Sequence, residues 1–125
     1  MINNKNPSLS IIVPAYNEED NLEGTIKSIL ESIPQYCTDY EITIVNDGSQ
    51  DRTGGIADRL AEKQNRIHVL HNPANQGIGS CYNKGVARAK KQYVMLIPGD
   101  NEVPPKALRG ILSAMGEADI IIPFF

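Results

Sequence analysis

Four short clusters in the sequence combine carboxylate or amide side chains with turn-forming residues: Pro14-Ala15-Tyr16-Asn17-Glu18, Asn46-Asp47-Gly48-Ser49, Asn75-Gln76-Gly77 and Pro98-Gly99-Asp100-Asn101-Glu102. Mg²⁺ and Mn²⁺ commonly sit on one or two carboxylates while substrate phosphates complete their shell. Asp100 is therefore the predicted metal ligand, with Glu102 as a second candidate. Three acids, Glu18, Asp47 and Asp100, would repel one another on a shared rim unless a cation or hydrogen-bond donors lay among them. A nucleotide brings base N–H groups and ribose hydroxyls, and a divalent cation brings charge. Asp47 facing a base and Asp100 facing a metal is the predicted arrangement. Each cluster is also ordinary turn chemistry on its own, with Asn17 expected as a helix N-cap and Asp47-Gly48 as a turn.

The elements that flank these clusters decide whether they meet. Leu9 to Pro14, Tyr40 to Val45, Arg66 to Leu70, Tyr93 to Pro98 and Ala118 to Ile122 read as five strands. Between them lie four helical patterns. The first follows Asn17 and carries Leu22, Ile26, Ile29, Leu30 and Ile33 on one face, ending at Pro34. The second runs from near Asp51 to Lys63 and the third from Ile78 to Lys90. The fourth opens at Pro105 and carries Leu108, Ile111, Leu112 and Met115. Unbroken strand–helix alternation predicts a three-layer α/β/α sandwich around a mainly parallel sheet. In such a sheet ligands bind beyond the carboxyl ends of the strands, where all four clusters fall. The second and third strands, of mixed polarity, are expected nearer an edge than the apolar first, fourth and fifth.

The 125 residues suit one domain, and a net charge of -3 without a Lys/Arg run excludes a nucleic-acid partner. Cys37 and Cys81 stand alone, without metal-ligand spacing, which predicts free thiols in a reducing compartment. The N-terminus has no signal-peptide core, and no apolar run approaches the roughly 20 residues of a membrane span. No GxGxxG follows the first strand and no GxxxxGK[ST] occurs, which excludes a dinucleotide-binding Rossmann domain and a P-loop enzyme. His68 and His71, inside and just after the third strand, have no nucleophile beside them. Gly77-Ile78-Gly79 opens the third helix, whose N-terminus is suited to a phosphate.

Three blocks then carry a resemblance. Val13-Pro14-Ala15-Tyr16-Asn17-Glu18-Glu19, Asn46-Asp47-Gly48-Ser49-Gln50-Asp51-Arg52-Thr53, and Asn75-Gln76-Gly77 with Cys81, Asn83, Gly85 and Ala89 resemble the family 2 inverting glycosyltransferases of the GT-A fold. The flavour is that of dolichyl- and polyprenyl-phosphate sugar transferases. The resemblance implies transfer of a hexose from a UDP- or GDP-linked donor, with Mg²⁺ or Mn²⁺. The acceptor would be a polyprenyl phosphate, lipid or glycan, as in cell-envelope glycan synthesis. It implies that Pro14, Ala15 and Tyr16 frame the base, with Glu18 nearby, that Asp47 hydrogen-bonds the base, and that Gly77 and Asp100 lie by the nucleotide. A cytoplasmic location follows, at the inner membrane face in a longer protein.

Two departures qualify it. The family's fourth strand ends Asp-x-Asp, and Pro98 stands at the first of those positions, with neither a charge nor a backbone donor. The family's catalytic base and acceptor site come after the fifth strand, so the base is expected beyond residue 125 and the chain alone is expected to bind donor without transferring sugar. The final Ile120-Ile121-Ile122-Pro123-Phe124-Phe125 reads as an interrupted apolar edge, predicting a two-fold homodimer. A catalytically degenerate GT-A-like interaction module is the alternative. A nucleotidyltransferase would need a Gly-rich, basic loop after the first strand, which Ala15-Tyr16-Asn17-Glu18 is not.

Overall fold

A computed structural model describes residues 7–113 and 120–121. Five parallel strands, β1 (Ser8–Ala15), β2 (Asp39–Asp47), β3 (Ile67–Asn72), β4 (Tyr93–Leu96) and β5 (Ile120–Ile121), lie in the order β3-β2-β1-β4-β5. Helices α1 (Leu22–Ser32), α2 (Thr53–Lys63), α3 (Ile78–Arg88) and α4 (Pro105–Ser113) connect them, with a 3₁₀ turn over Ile33–Gln35 after α1. The expected α/β sandwich is the observed one. Of the residues predicted at its end, the side chains of Ile111 and Met115, and the C-terminal stretch 122–125 on which the dimer edge was expected, lie outside what is described. Among the described residues no helix is long and apolar enough to cross a membrane.

The alternation of side chains along the strands divides the core. Leu9, Ile11, Val13 and Ala15 of β1 turn one way with Ile42 and Ile44 of β2, and against them pack Leu22, Ile26 and Ile29 of α1, Ile56 and Ala57 of α2, and Leu108 and Leu112 of α4. Burying each of these larger aliphatic side chains contributes roughly 1.5–3 kcal/mol. The other face is covered by α3, whose Cys81 meets Ile12 and Val45. This helix lies close because Gly85 has no side chain: a Cβ there would stand 2.6 Å from Ile12 Cγ2.

β3 is one sheet edge, as expected, but the other edge is β5, against the expectation from its apolar run, and β2 is an inner strand, buried from Tyr40 to Asp47 despite its mixed composition. Its buried Glu41, Asn46 and Asp47 are partnered. Glu41 Oε2 accepts from Ser10 Oγ at 2.6 Å and from Lys90 N at 3.0 Å. These donors outweigh the burial that would raise its pKa and hold the carboxyl below its ordinary range. β3 extends further than predicted, through His71 and Asn72. His71 ties Asn46 Nδ2 at Nδ1 (3.0 Å) to Asp58 Oδ1 at Nε2 (2.9 Å), a structural bridge between β2, β3 and α2.

Candidate functional site

The sheet's carboxyl edge is built by two loops that clasp each other. Asn17, expected as an N-cap, is instead a left-handed turn residue with φ 52°. Its N–H donates to Ser49 Oγ at 2.9 Å, and its Oδ1 accepts from Gln50 N at 2.9 Å. The residue at the N-cap of α1 is Asn21, whose Nδ2 donates to Glu18 Oε1 at 3.0 Å. Glu18 N donates to Thr53 Oγ1 at 2.8 Å, and Glu19 Oε2 accepts from Arg52 Nε at 3.0 Å. Asp51 Oδ1 accepts from Thr53 N at 2.9 Å at the head of α2. Much of the two sequence blocks therefore holds the first two strand ends in register, a role that their turn-like composition concealed.

Behind this clasp lies a cleft of about 310 Å³. Pro14, Ala15, Tyr16, Glu18, Asp47 and Gly77 all line it, so six predicted site residues meet in one place. Pro98 and Gly99 close the side toward β4, where Gly99 N donates to Pro14 O at 2.9 Å. Asn75, from the third of the four clusters, lines it too, as do Ile78 and Cys81, which sequence reasoning did not single out for the site. Ile78 had a detectable signal: an isoleucine at the first position of a helix, 56% exposed, has no core to fill. With Tyr16, 46% exposed, it gives the mouth of the cleft two apolar side chains open to a flat ligand.

Asp47 sits at the base of the cleft, 4% exposed. Its Oδ1 accepts from Asn72 Nδ2 at 2.8 Å and Gln76 N at 2.9 Å, and its Oδ2 from Gly77 N at 2.9 Å. Burial alone would raise its pKa, but these donors and the Cys81 thiol reverse the effect, so the carboxyl is held ionised below its ordinary range. The same negative charge and burial push the Cys81 thiol up to about 11, leaving it protonated and weakly reactive. The acids on the rim are thus quietened by the protein's own donors, where a ligand's were expected. Gly77 N, at the N-cap of α3, is given to Asp47.

Asp100 and Glu102 are outside the cleft lining. Asp100 is half-buried in the turn beyond Pro98-Gly99, and its Oδ1 accepts from Glu102 N at 3.1 Å. Glu102 faces a separate groove against α1, lined also by Gly24, Lys27 and Glu31. Its contact with Asp100 runs through the backbone N–H. Among the described residues no three His, Cys, Asp or Glu side chains converge as a metal cage. One carboxylate fits a cation whose remaining ligands are diphosphate oxygens and water.

Comparison with known proteins decides the family. The family model for glycosyl transferase family 2 matches residues 10–125. The chain belongs to glycosyl transferase family 2. Among curated family members, an uncharacterized glycosyltransferase of Bacillus subtilis, EpsJ, is 43% identical over 97 residues, covering 78% of this chain and 27% of that protein. Polyprenol monophosphomannose synthase of Mycolicibacterium smegmatis is 33% identical over 117 residues, covering 90% of this chain and 43% of that protein. The mannosyltransferase PcManGT of Pyrobaculum calidifontis, solved with GDP-Man and Mn²⁺, superposes with a TM-score of 0.70 at 23% identity, over 85% of this chain and 32% of that one. That likeness shows the shared fold. The chain spans less than half the length of these three relatives.

Proposed function

We propose that this chain is the donor-binding portion of a glycosyltransferase that moves a sugar from a UDP- or GDP-linked donor to an acceptor with inversion. The carrying observation is the convergence of Pro14, Ala15, Tyr16, Glu18, Asp47 and Gly77, from three separated sequence blocks, on one cleft at the strands' carboxyl ends. Tyr16 and Ile78 flank the base, and Asp47 accepts a ring N–H from it. Asp100, in the turn beyond Pro98-Gly99, is the residue that would hold Mg²⁺ or Mn²⁺ alongside the diphosphate. The chemistry such a cation supplies is neutralisation of the charge that builds on the leaving diphosphate. Pro98, in place of an acid, leaves ribose recognition to other groups of the cleft. The acceptor hydroxyl or phosphate attacks the anomeric carbon from the face opposite the diphosphate, and its catalytic base is assigned to no residue here. A polyprenyl phosphate acceptor is supported by the likeness to polyprenol monophosphomannose synthase.

Because Asp100 alone offers a carboxylate to the cation, metal and nucleotide should bind together. Calorimetric titration of UDP and GDP, with and without Mn²⁺, is expected to show at least a tenfold gain in affinity from the metal for the nucleotide that binds. Asp100→Ala should lose that gain and keep the metal-free affinity. An equal gain in the variant would remove Asp100 from the metal site. Nucleotide binding absent from folded protein, with and without Mn²⁺, would favour the degenerate interaction module, the reading for which Pro98 speaks.

A further inference from the structure

Asp47 has less to offer a base than a free carboxylate has. Its two oxygens present about four acceptor positions in all. Oδ1 already receives Asn72 Nδ2 at 2.8 Å and Gln76 N at 2.9 Å, and Oδ2 receives Gly77 N at 2.9 Å. One position on Oδ2 is left, and the Cys81 thiol is a further, weak donor to the same carboxylate.

The saturation of Oδ1 is built into the fold. Asn72 is 5% exposed, and its own Oδ1 receives Lys84 Nζ at 2.5 Å. An ammonium only donates, so the amide oxygen must face Lys84 and the NH₂ must face Asp47; the amide cannot turn over. Lys84 comes from α3 and Asn72 from the end of β3, so the arrangement is fixed by two elements packed on the sheet. The other carboxylate lining the cleft, Glu18, is engaged at Oε1 by Asn21 Nδ2 (3.0 Å).

Bases differ in what they ask of such an acceptor. Guanine presents a ring N–H and an amino N–H side by side, a pair that a carboxylate meets with both of its oxygens. Uracil presents one ring N–H between two carbonyls. We infer that the Lys84–Asn72–Asp47 chain makes this a site for a nucleobase with a single ring N–H, so that the donor is a uridine and not a guanosine diphosphate sugar, with Asn72 and Lys84 as positioning residues for base specificity. The inference rests on the donor reading proposed above. A guanine set edge-on to Asp47 finds one open position for two donors, so its second N–H has no acceptor on that carboxylate. An unmade hydrogen bond at a buried polar group is what such a site rejects most strongly.

Titration of UDP and of GDP into the full chain at saturating Mn²⁺ tests it without any variant. UDP is expected to bind at least tenfold more tightly. GDP binding as tightly as UDP, or more so, overturns the inference and leaves the donor reading standing; binding of neither to folded protein overturns both. Asn72→Ala frees a position on Oδ1, and its UDP-to-GDP affinity ratio should fall toward unity while thermal melting shows the protein still folded. Should that variant not fold, Lys84→Met, which releases the Asn72 amide, should lower the ratio in the same direction. An unchanged ratio in a folded variant overturns the role given to this chain of contacts.

Discussion

Asp47→Ala is expected to lose nucleotide binding and to unfold far more readily than the wild type. Removing the carboxylate strands three donors, Asn72 Nδ2, Gln76 N and Gly77 N, in a place that is 4% exposed. Each buried donor left without a partner costs about 1–3 kcal/mol, and charge-assisted bonds lie toward the upper end. A loss of at least about 3 kcal/mol is therefore expected in urea unfolding at neutral pH. The pH dependence has a definite sign. Asp47 has a folded-state pKa held below its unfolded value by those donors, so its stabilisation is complete above the unfolded carboxylate pKa, near 3.9, and is lost as pH falls through the folded one. The difference between wild type and variant should be full at pH 7 and narrow only below about pH 4. Wild-type stability in Asp47→Ala would mean that these donors find other partners, and the account of the cleft base would fail.

Gly48→Ala, at the next residue, is expected to be comparably severe for a different reason. Gly48 has φ +73°, a conformation that costs an L residue about 1–2 kcal/mol. A Cβ there would also stand 2.4 Å from the backbone C of Ala74 and N of Asn75. Backbone must then move, and the segment displaced is the one that carries Gln76 and Gly77 N to Asp47. Gly77 provides the control: its φ is +94°, but a Cβ there meets nothing within 4 Å. Gly77→Ala should show backbone strain alone, about 1–3 kcal/mol at φ 94° and ψ 164°, and Gly48→Ala, with the backbone clash added, should exceed it. Equal losses in urea unfolding would show that the Ala74–Asn75 backbone yields freely.

The contrast between these two glycines also marks where the sequence stopped being legible. Strand–helix alternation was enough for the fold, because a parallel sheet leaves few other ways to bury Leu9, Ile11, Ile42 and Ile44 under amphipathic helices. The position of the site followed from that topology, and six of its predicted residues do line one cleft. Sequence failed where a polar residue had two possible partners. Asn17 has the composition of a helix cap, yet its bonds go to Ser49 and Gln50 across the clasp. Asp47 looked like an acid in need of a ligand, yet its donors come from Asn72, Gln76 and Gly77 on a segment far along the chain. Glu102 is two residues from Asp100, yet Asn101 turns the backbone at φ 57° between them and Glu102 lines a groove against α1. Local spacing does not fix such long-range pairings; the order in which the strands lie side by side does.

The central claim is that a nucleotide occupies the cleft with its diphosphate directed to a cation on Asp100. Paramagnetic broadening of backbone amide resonances by Mn²⁺ locates the cation directly. In the presence of UDP or GDP, broadening should centre on Gly99 to Glu102 and reach Tyr16 and Gly77, and it should weaken sharply when the nucleotide is left out. Broadening centred elsewhere, or unchanged by the nucleotide, would contradict the claim.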